Sequence, residues 1–155
     1  MGRIYEISFQ NVSISATQDL FNIAATSGMA FALHEIQLGQ ITQTSVENLQ
    51  ISLRRFTATV TNGSGGGAAT PQKHTSGDAA ATVTARINDT VVATTNGTAT
   101  VIRPDTFSLL NGYFYLPAPE DRIIIAPSQN LIIRLDSAPA AARTMSGSAV
   151  IEELF

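Results

Sequence analysis

Two histidines, two pairs of adjacent carboxylates, a glycine-rich run and an arginine pair are the residues of this chain whose types could do chemistry. His34 and His74 lie far apart, and neither has a second histidine at the spacing a metal site or a general base would use. Glu120-Asp121 and Glu152-Glu153 are neighbours in sequence. Glycoside hydrolysis needs two carboxyls facing each other across a cleft, and calcium needs several oxygen ligands along one loop. Both pairs therefore read as solvated charge. The run Asn62-Gly63-Ser64-Gly65-Gly66-Gly67 lacks the Gly-Lys-Ser/Thr ending of a phosphate-cradling loop, and Lys73 lies too far on. Gly63-Ser64-Gly65 is not a nucleophile elbow, which must sit on a strand-to-helix turn. With no cysteine, thiol catalysis and disulfides are excluded. The expectation is a protein that is not an enzyme, with no cofactor and no metal.

Charge narrows the partners. A net charge of −3 and a pI near 5.2 argue against nucleic acid, whose binders need clustered basic residues to displace counterions. Lys73 is the one lysine, and no stretch gathers more base than Arg54-Arg55. No apolar run approaches the ~18 residues of a membrane span, and the start lacks a signal-like apolar core. A soluble chain made in the cytoplasm, binding neither nucleic acid nor membrane, is expected. Charged residues make up 14% of the sequence against a typical ~25%, so either a partner covers part of the surface or Thr, Ser and Asn form the polar face.

The elements that must position these residues read as strands throughout. Ile7 and Phe9 alternate on odd positions, then Val12 and Ile14 on even ones, which places a bulge at Gln10-Asn11. The segment 17–25 reads as a strand through Phe21 and Ile23, with a helix as the alternative. A long strand over 29–41 slips phase near His34-Glu35, and Gly39 marks a bend or close approach in it. Another runs over 49–60 and slips at Arg54-Arg55. If that strand is regular, the two arginines face opposite sides. One of them then faces the core side, unless the slip turns it out, and meets a carboxylate either across a subunit boundary or within the chain.

Positions 62–80 break all periodicity and read as a long flexible loop. Strands over 81–87 and 91–95 form a hairpin around Asn88-Asp89-Thr90, and Asn96-Gly97 turns a second one into 98–102, which Pro104 ends. In Gly112-Tyr113-Phe114-Tyr115-Leu116-Pro117-Ala118-Pro119, the two prolines end an aromatic strand, a charged corner follows, and Ile123 begins the next strand. Leu131, Ile133 and Leu135 point inward, and Arg143 to Leu154 is the last strand. Residues 1–155 thus read as one all-β domain, a jelly-roll-like β-sandwich of about eight to ten strands. Three successive aromatics cannot all face one core, and apolar chain ends tend to dock. At least one of Tyr113, Phe114 and Tyr115 therefore lies on an outer face, and Leu154-Phe155 docks on the chain itself or on a neighbour.

Several segments together resemble capsid decoration (cement) proteins of tailed phages and prophages. They are Ile4-Tyr5-Glu6-Ile7-Ser8-Phe9, Gln18-Asp19-Leu20-Phe21, the strand from His34 to Gln40 and the glycine loop with Pro71. The Gly112–Arg122 motif and the Met145-Ser146-Gly147 strand ending in Glu152-Glu153 complete the set. The resemblance implies a structural virion protein, a homotrimer on the capsid surface that binds the outside of the head. Its partner would be the major capsid protein, whose subunits it would bridge and stabilise, with Tyr113, Tyr115, Leu154, Phe155 and Arg54 as the expected interface residues. A carbohydrate- or receptor-binding β-sandwich of a phage particle is the other reading, weakened by the absence of tryptophan.

Overall fold

A computed structural model of the chain describes residues 2–41 and 46–154. Runs that alternate apolar and polar residues bury one side and wet the other only as pleated strands. They become β1 (Arg3–Ile14), β2 (Gln18–Ala24), β3 (Ala30–Gln40), β4 (Asn48–Phe56), β5 (Val60–Thr61), β6 (Gly67–Ala69) and β7 (Gln72–Lys73). The second half supplies β8 (Thr84–Asp89), β9 (Thr94–Thr95), β10 (Ala99–Ser108), β11 (Tyr113–Tyr115), β12 (Ile124–Ile125), β13 (Asn130–Leu135) and β14 (Arg143–Leu154). These fourteen exceed the expected eight to ten because six of them are only two or three residues long. No helix among the described residues is long and apolar enough to cross a membrane.

Sheet I runs β11-β3-β14-β1-β7, with β12 also on β3; sheet II runs β10-β4-β13-β2-β8-β6. Set β5 to β9 aside, and count β11 with β12 as one strand. The first strand then pairs with the last, the second with the seventh, the third with the sixth and the fourth with the fifth. That nesting is the double-sheet jelly roll. Tyr5, Ile7 and Phe9 of sheet I meet Phe21, Ile23, Ile51 and Ile133 of sheet II in one buried cluster. Phe9 and Phe21 rings lie 5.4 Å apart across the layers. Each such side chain contributes about 1.5–3 kcal/mol on burial.

Two of the expected bulges are present. The β1–β14 register shifts between Phe9 and Val12, where Asn11 takes φ 54°, and His34 is the extra residue between Leu33 and Glu35. The slip expected at Arg54-Arg55 is not a bulge in β4: the shift belongs to Ile102 of the partner strand β10. Phe56 instead faces the opposite side from Leu53, in a second small core with Ala93, Ile132 and Val60. Gly39 approaches nothing closely; a Cβ there would stand in open space.

The stretch between β4 and β10 departs most from expectation. β8 pairs with β2 and β6, not with β9, so the hairpin around Asn88-Asp89-Thr90 does not form. Asn96-Gly97 turns no hairpin either. β4 with β10 and β5 with β9 are one kinked ribbon, bent at Ala58 (φ 59°) on one strand and at Asn96-Gly97 on the other. Gly97 is required there, since a Cβ would crowd the Thr57 carbonyl at 2.5 Å. Pro104 does not end its strand. β10 continues to Ser108 because it is the edge of sheet II, where a missing N–H removes no ladder bond.

Positions 62–80, expected as a free loop, are hydrogen-bonded to both sheets. Ser64 bridges Val91, β6 extends sheet II, and β7 extends sheet I along β1. A Cβ on Gly66 would fall on the Ile87 carbonyl oxygen, so only glycine lets the chain lie this close. The chain then returns past Ala79, whose carbonyl accepts from Tyr5 Oη at 3.0 Å. One side of the sandwich is closed by this double crossing.

Candidate functional site

Buried carboxylates hold the closed side. Asp19 is 1% exposed; it accepts from Arg134 Nε at 2.5 Å, Arg134 Nη2 at 3.2 Å and the Ala93 amide at 2.7 Å. Asp89 accepts from Arg86 Nη2 at 2.7 Å and the Gly66 amide at 3.1 Å. Glu153, read from sequence as solvated, is fully buried. Its Oε1 accepts from the Thr82 amide at 2.5 Å, Thr82 Oγ1 at 2.8 Å and the Val83 amide at 3.0 Å. The Asp19 and Glu153 contacts tie residues 57–98 to the body, while those of Asp89 brace that segment internally.

The opposite side is built differently. There β10 edges sheet II while β11 and β12 edge sheet I, and nothing among the described residues pairs beyond them. Tyr113 and Tyr115 occupy odd positions of β11 and point inward, at 5% and 8% exposure. The Tyr113 ring lies 5.5 Å from Phe107, its hydroxyl donates to Asp105 Oδ2 at 3.5 Å, and burial together with Asp105 pushes its pKa up to about 12. Arg103 lies over the Tyr115 ring at 5.2 Å, and burial raises that phenol too. Both tyrosines are buried in the core of the isolated chain, and Tyr115 also forms part of the wall of a cleft beside it.

Phe114 and Leu116, at even positions, turn outward instead, with 60% and 62% exposure, and Ile124 stands out on the same edge of β3. Across the gap the β10 bulge presents Ile102, with Val101 beside it. Pro117 and a 3-10 turn at Pro119–Asp121, closed by the Asp121 amide donating to the Ala118 carbonyl at 2.9 Å, wall the space. The result is an open cleft of about 520 Å³ lined by Ile102, Arg103, Phe114, Tyr115, Leu116, Pro117, Asp121 and Ile123. Exposed apolar side chains gathered at a sheet edge mark interaction surfaces more often than scattered ones do.

Of the other expected residues, Arg54 and Leu154 do not line this cleft. Arg54 Nη2 meets Asp136 Oδ1 at 2.5 Å and its Nε donates to Ser52 Oγ at 2.7 Å, so its carboxylate partner lies within the chain. Leu154 is half-buried at the end of β14, opposite Ala30, and Phe155 lies outside the described residues. His34 is a half-buried strand residue 2.8 Å from Glu152, and His74 lies 3.4 Å from Glu6. Among the described residues no three His, Asp or Glu side chains gather as a metal site requires. Parity along Tyr113-Phe114-Tyr115-Leu116 was the available signal for Phe114 and Leu116: once the tyrosines are inside, their neighbours are outside. Ile102 had no such signal, because a bulge on an edge strand breaks parity.

No family model, curated protein or solved structure matches this chain.

Proposed function

We propose that this chain is a structural virion protein, a decoration subunit that binds the outside of a tailed-phage head and bridges major capsid protein subunits. The observation that carries the reading is the unequal treatment of the two sandwich sides. One is sealed by 57–98, while the other leaves Phe114, Leu116, Ile102 and Ile124 in water. A chain with so little surface charge keeps such a face where a neighbour covers it. The resemblance read in the sequence supports the shell as that neighbour, and homotrimers at threefold positions as the assembled form.

Docking uses side chains and not an added strand. Pro104, the Ile102 bulge and the charge of Arg103 all fall on β10, and each of these features blunts an edge against strand addition. Many modest contacts repeated over a shell add by avidity, so no single deep site is needed. The test is mass in solution by light scattering, followed by sedimentation with intact and expanded heads of the phage that encodes the chain. A trimer that sediments with expanded shells supports the reading; a monomer that stays in the supernatant overturns it.

A further inference from the structure

On the closed side, the glycine arc stands off the ends of β1 and β8 and leaves an open hollow of about 320 Å³. Its lining holds no charged residue: Val12 and Ile87 supply carbon, while Gln18, Asn88 and Thr90 supply neutral amides and a hydroxyl. The nearest charges cancel, since Arg86 Nε and Nη2 meet both oxygens of Asp89 at 2.8 and 2.7 Å. With no cation on its wall, the hollow lacks the charged side chain that phosphate and nucleotide sites commonly use, despite its glycines.

Asn88 supplies the second observation. It is 7% exposed, takes φ 56° and accepts from Gln18 Nε2 at 3.1 Å through Oδ1. Its Nδ2 is buried with no hydrogen-bond partner. An unmet buried amide of this kind costs about 1–3 kcal/mol, so it persists where something else answers it. Exchanging O and N in both amides leaves an unmet acceptor in place of an unmet donor. A hydroxyl group satisfies either assignment, because it donates and accepts.

We propose that this hollow binds a saccharide unit, one hydroxyl pairing with the Asn88 amide and the C–H face lying on Val12 and Ile87. Neutral polarity beside exposed carbon matches a sugar ring better than an ion or a lipid tail. No aromatic ring lines the hollow for stacking, so the expected affinity is on the order of millimolar. The site lies on the opposite side from the docking cleft and stands or falls independently of it.

The test is a titration of the isotopically labelled chain with glucose, galactose and N-acetylglucosamine, read by NMR at the amides of Gly65, Gly66 and Gly67 and the Asn88 side-chain amide. Saturable shifts with at least one sugar are expected. Asn88→Asp keeps the acceptor for Gln18 and tolerates the left-handed backbone, and it should weaken binding at least tenfold. Should that variant not fold, Asn88→Gly, which suits the same φ, should show the same loss. No saturable shift with any of the three sugars, or shifts unchanged in the variant, would overturn the proposal.

Discussion

The two open ends of a jelly-roll sandwich face the same physical problem, and this molecule solves it twice in different ways. At the β6–β7 side the chain crosses between the sheets, pairs with both edges and spends buried carboxylates on anchoring itself. At the β10–β11 side it stops short, blunts β10 with a proline and a bulge, and leaves apolar side chains outside. Edge protection and edge covering are therefore separable. The first side is finished within the chain, and the second is protected against strand pairing but not against side-chain contact.

Breaking the closed side should have the largest effect. Asp19→Ala strands the Arg134 guanidinium and the Ala93 amide, and a loss of about 3–5 kcal/mol is expected in urea unfolding. Gly66→Ala comes next. Its methyl group has to displace the Ile87 carbonyl, which costs about 1–3 kcal/mol of overpacking and lowers the thermal midpoint.

Raising the pH probes both sides at once, through the three tyrosines, all with raised pKa. Between pH 10 and about 12 the unfolded chain has released phenolic protons that the folded chain still holds at Tyr113. Proton binding is then greater in the folded state, so stability falls as pH rises through that window. Below pH 10 the term is constant. Phenolate absorbance of the folded chain should lag that of the chain in urea, and Tyr113→Phe should shrink the lag.

The smallest effect on stability is expected on the open side. Phe114→Asp with Leu116→Asp touches little within the chain, and its unfolding free energy should stay within about 0.5 kcal/mol of the parent. A large loss would mean that these residues already serve the fold, and the contrast between the sides would disappear.

Much of the sandwich was legible because its strands obey simple parity. β1 and β3 slip phase where an extra residue interrupts the ladder, and β13 alternates cleanly on its inner face. The misread at Arg54-Arg55 has a physical cause. Phe56 is apolar on the outer face because 57–98 covers it, and periodicity cannot tell a covered outer face from a bulge. The Asn96-Gly97 signal reports a backbone that turns, not which strands it joins. The glycine run looked free because glycine serves both freedom and close approach, and here a neighbouring carbonyl selects the second. At the candidate site, aromatic identity pointed to the tyrosines, whereas burial assigned the exposed role to Phe114 between them.

We propose the β10–β11 side as the docking face. The proposed decoration role is tested by sedimenting the parent chain and the Phe114→Asp, Leu116→Asp chain with expanded tailed-phage heads, at matched concentration and after confirming equal unfolding midpoints. The parent is expected to sediment with the shells to a fixed stoichiometry while the variant remains in solution. Equal sedimentation of the two chains, or a parent that never leaves the supernatant, would contradict it.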